Sequence, residues 1–230
     1  MGREYEKAVD YVRRMISSGS LNVGDRLPTE RELSLELDIS RNSTREAMRM
    51  LENMGIIVSR HGSGNYISGN MERTISDMIH MMLALKQVSR HDICDFRRSM
   101  EKTVCHAVID RLEAGSDKPD ELDMAAELAY SMDCSDSETD RRFHYLLVKA
   151  SGNAFIDILM SALIDVYREW IDEALEAING DDKLHLKKAH EDIINALHSR
   201  DKSACDRAID MHYNINEQSL TGCLLYTSPS

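Results

Sequence analysis

Four side chains in the second half of the chain have the types and spacing of a metal site. In Asp140-Arg141-Arg142-Phe143-His144 a carboxylate and an imidazole stand four residues apart, hence on one face of a helix. His190 and His212 lie on two later stripes with apolar neighbours, Ile193-Ile194-Leu197 and Ala208-Ile209. Three helices can therefore aim Asp140, His144, His190 and His212 at one point. Three imidazoles and a carboxylate suit a borderline divalent ion, zinc first, with nickel, manganese or iron as alternatives. An ion that accepts six ligands keeps positions open for water or an incoming oxygen ligand. The competing reading is a set of satisfied core side chains, because His80, His91, His106, His185 and His198 show how freely this chain uses histidine elsewhere. An enzyme is not expected. Hydrolysis wants a positioned general base, and Glu191, the nearby candidate, diverges from His190 by about 100° around the helix.

The elements that would carry these residues are all helical. After Gly69 no strand-like alternation occurs, and apolar spacing and breakers predict helices near 71–88, 90–113, 118–132, 137–151, 153–178, 182–199 and 201–219. These should pack as an antiparallel bundle. Met78, Met81, Met82 and Leu85 repeat at helical spacing, which reads as core or dimer interface before it reads as a ligand pocket.

The first part of the chain has a different pattern. Thr29 and Glu32 form a capping box just after Pro28, and Leu33 and Leu37 give the helix that follows a buried face. A second helix starts after Ser40, a good N-cap residue, and turns Ala47, Met48 and Leu51 inward while Arg41, Arg45 and Arg49 share an exposed side. Only Asp38 and Ile39 separate the two. Gly55 can end the second helix in the left-handed conformation, and Ile56–Arg60 and Tyr66-Ile67 flank a glycine-bearing tip, His61-Gly62-Ser63-Gly64. That order is a winged helix-turn-helix, whose second helix enters the major groove of DNA. Arginine there can bond guanine in bidentate fashion, and the glycines of the wing allow close approach to a phosphate.

Two resemblances rest on these motifs. Gly24, Leu27-Pro28, Glu30-Arg31-Glu32-Leu33, Ser40-Arg41, Arg45-Glu46-Ala47 and Gly62-Ser63-Gly64 resemble the N-terminal domain of the GntR family of bacterial transcription regulators. The resemblance implies operator contacts from Arg31, Ser40, Arg41, Ser43 and Arg45, with His61 and Gly62 at the wing. Residues 71–219 are similar to the FCD effector domain of the FadR subfamily, through Phe96–Glu101, Asp140-x-x-Phe-His144, Ala150–Asn153, His190 and His212. In the metal-containing branch those four positions bind the ion, and a small organic acid would place its carboxylate on the metal and on Arg97, with Asn153 offering an amide. The set argues against the fatty acyl-CoA branch.

The expected fold class is thus mainly α, an N-terminal winged helix-turn-helix followed by an all-α antiparallel bundle. Residues 1–68 would form the reading head, 69–73 a linker with its hinge near Ser68-Gly69-Asn70, and 74–222 the effector-binding and dimerisation domain. The expected function is a DNA-binding regulator, a repressor by family habit, acting as a homodimer on a palindromic double-stranded operator and sensing a small carboxylate or sugar acid. The alternative keeps DNA binding and makes the metal purely structural. Of the net charge of −12, none lies in residues 1–68, which hold ten basic and ten acidic residues, so an acidic second domain should weaken non-specific DNA binding. No apolar run approaches the roughly 20 residues of a membrane span, and a cytoplasmic location is expected. Cys94, Cys105, Cys134, Cys205 and Cys223 lack Cys-x-x-Cys spacing and read as ordinary small buried residues. Residues 223–230 follow the last predicted helix abruptly and are read as a non-native, adapter-like tail, excluded from the functional argument.

Overall fold

In the computed structural model residues 4–132, 137–177 and 180–224 are described. Cys134 and residues 225–230, the greater part of the expected tail, lie outside them. The chain divides into two compact units, Met1–Met78 and Ile79–Ser230.

The first unit holds α1 (Glu4–Ser17), α2 (Glu30–Leu37), α3 (Arg41–Asn53) and a hairpin of β1 (Ile57–Arg60) and β2 (Gly64–Ile67). The Thr29–Glu32 capping box opens α2 as its residue types require, with Glu32 accepting from Thr29 N–H at 2.7 Å and Thr29 Oγ1 accepting from Glu32 N–H at 3.3 Å. Asp38 turns left-handed at φ 49°, and Ser40 Oγ then accepts from Ser43 N–H at 3.0 Å to start α3. Val12, Leu33, Met48 and Leu51 bury against Ile57 and Ile67, which face each other across the antiparallel register. Arg41, Arg45 and Arg49 remain exposed on the opposite side of α3.

The second unit is a bundle. α4 (Glu72–Ala84) leads into it, followed by α5 (Arg90–Glu113), α6 (Asp120–Ser131), α7 (Ser137–Ser151), α8 (Ala154–Ala177), α9 (Gly180–Ser199) and α10 (Lys202–Leu224). α10 packs on α9, α5 and α8, while α7 lies among α5, α6 and α8. Val104, Val108, Phe143, Leu147, Ile193 and Leu197 are fully buried between them. A ladder of polar side-chain contacts at four-residue intervals fastens α5 to α10: Lys102 to Asp210 at 2.6 Å, His106 to Asp206 at 2.8 Å, and Asp110 to Lys202. Beneath it Cys105 and Cys205 are buried free thiols, and Cys94 is half-buried. Among the described residues no helix is long and apolar enough to cross a membrane.

Two features differ from the sequence expectation, and a third narrows it. α4 stops at Ala84 instead of running on to Val88, because Lys86 takes a left-handed φ of 57° and the chain then enters the Ser89–Asp92 capping box of α5. α10 continues to Leu224, through Gly222, since no proline interrupts it. Of the two readings of the α4 row, core or dimer interface, Met78, Met81 and Leu85 do not fit the core, being 59%, 58% and 61% exposed.

Gly55 adopts φ +71°, and a Cβ there would stand 2.5 Å from Asn70 O. Both strain and overlap oppose a side chain, so Gly55→Ala should destabilise the reading head by about 1–3 kcal/mol, read as an earlier urea transition of the α1–β2 unit.

Candidate metal centre and DNA-reading face

α7 presents Asp140 in its first turn, where the helix dipole favours a carboxylate, and His144 one turn later on the same face. α9 and α10 bring His190 and His212 to the same point, all four side chains being buried. Asp140 Oδ1 lies 3.1 Å from His190 Nε2, 3.6 Å from His212 Nε2 and 3.7 Å from His144 Nε2, and the last two nitrogens are 3.2 Å apart. Ion–ligand bonds of about 2.1 Å give neighbouring ligands about 3.0 Å apart in an octahedron and about 3.4 Å in a tetrahedron. One ligand atom from each residue falls within 4.8 Å of every other. Among the described residues, both Asp140 oxygens and both His190 nitrogens lack hydrogen-bond partners, a costly state that a cation would relieve. The donor set therefore fits a divalent ion. Phe143 sets its edge against the rings of His144 and His190, with centroids 5.2 and 4.7 Å away, and limits how far either ring can turn.

Glu101 joins this site although its place in the sequence pattern does not mark it as a member. It is 1% exposed on α5, with Oε2 3.0 Å from His144 Nδ1, an ion-pair contact rather than a well-aligned hydrogen bond. Tyr213, the neighbour of His212, donates its hydroxyl to Glu101 Oε1 at 2.6 Å. Engaging Nδ1 leaves His144 Nε2 for the centre, the arrangement by which an outer carboxylate orients a ligating histidine. Burial pushes the Glu101 carboxyl up, but His144 and then Arg97 outweigh it and hold the group at about 2. Burial pushes His144 down, yet Glu101 and Asp140 raise it to about 9. His212 behaves oppositely, burial lowering it to about 4 against the pull of Asp140. Asp140 stays well below the usual carboxylate range because the histidines offset its burial.

Arg97 is buried rather than a surface residue. Its guanidinium stands 3.5 Å above the Tyr167 ring and 3.7 Å from Glu101 Oε1, and its Nε has no hydrogen-bond partner. Asn153 is not gathered into the cluster. It is exposed, and its Oδ1 accepts from the N–H groups of Phe155 and Ile156 at 3.0 and 3.2 Å, capping α8 after the Ser151-Gly152 turn. Beside His144, a cavity of about 10 Å3 is lined by Val148, Met160, Ser161, Ile164 and Tyr167, room for about one water. In the reading head Arg31, Ser40, Arg41, Arg45, His61 and Gly62 are exposed and Ser43 is half-buried. Arg45 reaches Glu30 at 3.3 Å, and Arg60 stacks over Tyr66 at 4.5 Å behind the wing tip.

Comparison with known proteins gives these features a setting. Residues 4–67 match the bacterial regulatory proteins of the gntR family, and residues 92–214, more than half of the chain, match the FCD domain. The chain is 28% identical over 214 residues to the putative L-lactate dehydrogenase operon regulatory protein of Escherichia coli (strain K12), covering 90% of this chain and 82% of that one. It is 27% identical to the Uxu operon transcriptional regulator of the same organism, covering 95% and 87% of the two chains. Among solved structures, Streptococcus agalactiae GntR superposes with a TM-score of 0.65 at 27% identity, over 94% of this chain and 99% of that one. These relatives and both domain families are transcription regulators, not enzymes.

The charges at the centre make two outcomes measurable. Without metal, His144 has a folded value of about 9 against an ordinary 6.5, so its contribution to stability is fully present below pH 6.5 and is lost as pH rises through about 9. A cation needs the neutral ring and must displace that proton, so calorimetry at pH 7 in buffers of different ionisation heats should record about one proton released per zinc bound. Glu101→Gln, which keeps the shape but loses the charge, should weaken zinc binding on the order of tenfold to 100-fold in a chelator competition. With a winged reading head and an FCD bundle in one chain, this protein belongs to the GntR family and is a DNA-binding transcriptional regulator of the FCD type.

Proposed function

We propose that the protein is a repressor, acting as a homodimer on a palindromic operator, whose helical domain senses a small carboxylate or sugar acid through a divalent ion held by Asp140, His144, His190 and His212. The observation that carries this reading is the balance of buried charge. Asp140 and Glu101 are anionic and Arg97 is cationic, and with neutral histidines a divalent ion leaves one uncompensated positive charge. A monocarboxylate cancels it. Held by these residues, the ion would supply a Lewis-acidic point for the carboxylate, and Arg97, whose Nε lacks a partner among the described residues, would supply hydrogen-bond donors. The name of the Escherichia coli relative, an L-lactate dehydrogenase operon regulator, points to a small hydroxy acid as one candidate.

Because the cavity beside His144 has room for about one water, an acid bound there must separate α7 from α8. Such a displacement is a physical route from effector to helix packing. On the DNA side, Arg31, Ser40, Arg41, Ser43 and Arg45 would meet the operator, with His61 and Gly62 at the wing. Phosphate contacts would position the head and Arg41 would read guanine. The exposed row Met78, Met81 and Leu85 supports association of two copies. A coupling of about 1–3 kcal/mol between acid and DNA is enough for a switch, and it acts equally in both directions.

A thermal-shift screen of the purified protein against small carboxylates and sugar acids, with zinc and again after chelation, tests the sensor. An acid at 100 times its dissociation constant should add about 2.7 kcal/mol of stability, and the gain should vanish on chelation and in His190→Ala. Zinc stabilisation with no acid response would leave a structural metal, and an acid response indifferent to chelation would remove the ion from the mechanism.

A further inference from the structure

Away from the metal centre, two carboxylates stand against donors of the proposed DNA face. Glu4, in the first turn of α1, places Oε2 2.9 Å from Ser43 Oγ and 3.3 Å from Ser40 N–H at the start of α3. Glu30, which opens α2, places Oε2 3.3 Å from both Nε and Nη2 of Arg45. An amide, a hydroxyl and a guanidinium are thus each engaged by an anion in the free head, the same donor types that take up phosphate at a helix N-terminus.

Helix capping does not account for either carboxylate. α3 already has its own cap, Ser40 Oγ accepting from Ser43 N–H, and α2 is closed by Thr29 with Glu32. Glu4 and Glu30 come from other helices, 36 and 15 residues before the groups they meet at Ser40 and Arg45. The hydrogen bonds from Ser43 and Ser40 hold the Glu4 carboxyl below its usual range, so it is ionised at neutral pH.

We propose that Glu4 and Glu30 are anionic placeholders for the DNA backbone and hold down the affinity of the head for phosphate, so that DNA lacking base contacts is released. They occupy Ser40, Ser43 and Arg45 in the free head and repel phosphate from any duplex that arrives. Non-specific binding rests almost wholly on phosphate contacts, so the repulsion falls on it in full. A correct operator adds base contacts, so it stays bound under a repulsion that releases mixed sequence, while the ratio of the two affinities is left to those base contacts. The even balance of ten basic and ten acidic residues in the head agrees with this use of acid on a DNA-binding surface. The inference rests on the DNA face proposed above.

The test compares wild-type full-length protein with Glu4→Gln, Glu30→Gln and Arg41→Ala, by fluorescence anisotropy on a mixed-sequence duplex of about 30 bp, several times the span of one reading head, and on duplexes that wild-type protein enriches from a random pool. Glutamine keeps an acceptor for Ser43 and Arg45 and removes only the charge. Each Glu→Gln substitution should tighten binding to the mixed-sequence and the enriched duplexes alike, about fivefold, the factor for one like-charge pair at about 4 Å in water. Unchanged or weaker binding, with Arg41→Ala still impaired, would overturn the placeholder role. A purely structural role would lower the melting temperature and weaken both duplexes together. If Arg41→Ala left both affinities intact, the DNA face itself would be wrong, a separate failure that also removes the proposal.

Discussion

An ionised carboxylate cannot stay in a helical core unless other charges reach it, and Asp140 sits in such a core at 4% exposure. Its compensation fixes much of the bundle. His144 approaches from its own helix, His190 from α9 and His212 from α10, while Glu101 on α5 restrains His144 and is itself restrained by Tyr213 and Arg97. Arg97 in turn lies on Tyr167 of α8. Five helices are therefore committed to one electrostatic arrangement. Packing and site cannot be separated, because moving any of these helices leaves a buried charge without its partner.

The reading head meets the opposite demand, which is to hold charged and polar groups at the surface while the helices that carry them stay fixed. Its helix ends are closed by short local devices, Thr29 with Glu32 and Ser40 with Ser43. Ala8, Val12 and Ala47 have no exposed surface at all and seat α1 beneath α3. The arginine side of α3 is consequently fixed in backbone and solvent-facing, with Arg45 held by Glu30.

What is legible in the sequence is local. Capping boxes, the left-handed Gly55, the four-residue spacing of Asp140 and His144 and most helix limits depend on contacts within a few residues. The pairing of Glu101 with His144 and Tyr213 depends on tertiary packing across 43 and 112 positions and has no counterpart in local spacing. One signal is present: Arg97 and Glu101 interrupt the stripe Ile93, Val104, Cys105, Val108, and charges on a buried stripe need partners from elsewhere. Asn153 follows the metal helix, which suggests a place beside the effector, yet an asparagine just before a helix is equally suited to cap it, and that is where its oxygen is used. The methionine row of α4 carries helical periodicity, but periodicity alone does not say whether a stripe faces this chain's core or outward.

The narrow cavity beside His144 has a kinetic meaning as well. With room for about one water between α7 and α8, a molecule arriving from that side must wait for the helices to part. For the proposed acid, the association rate would then be limited by how often the bundle opens, and release would be slowed by the same barrier. Under the proposed acid sensing, such a barrier would average over brief fluctuations in concentration and respond to sustained ones.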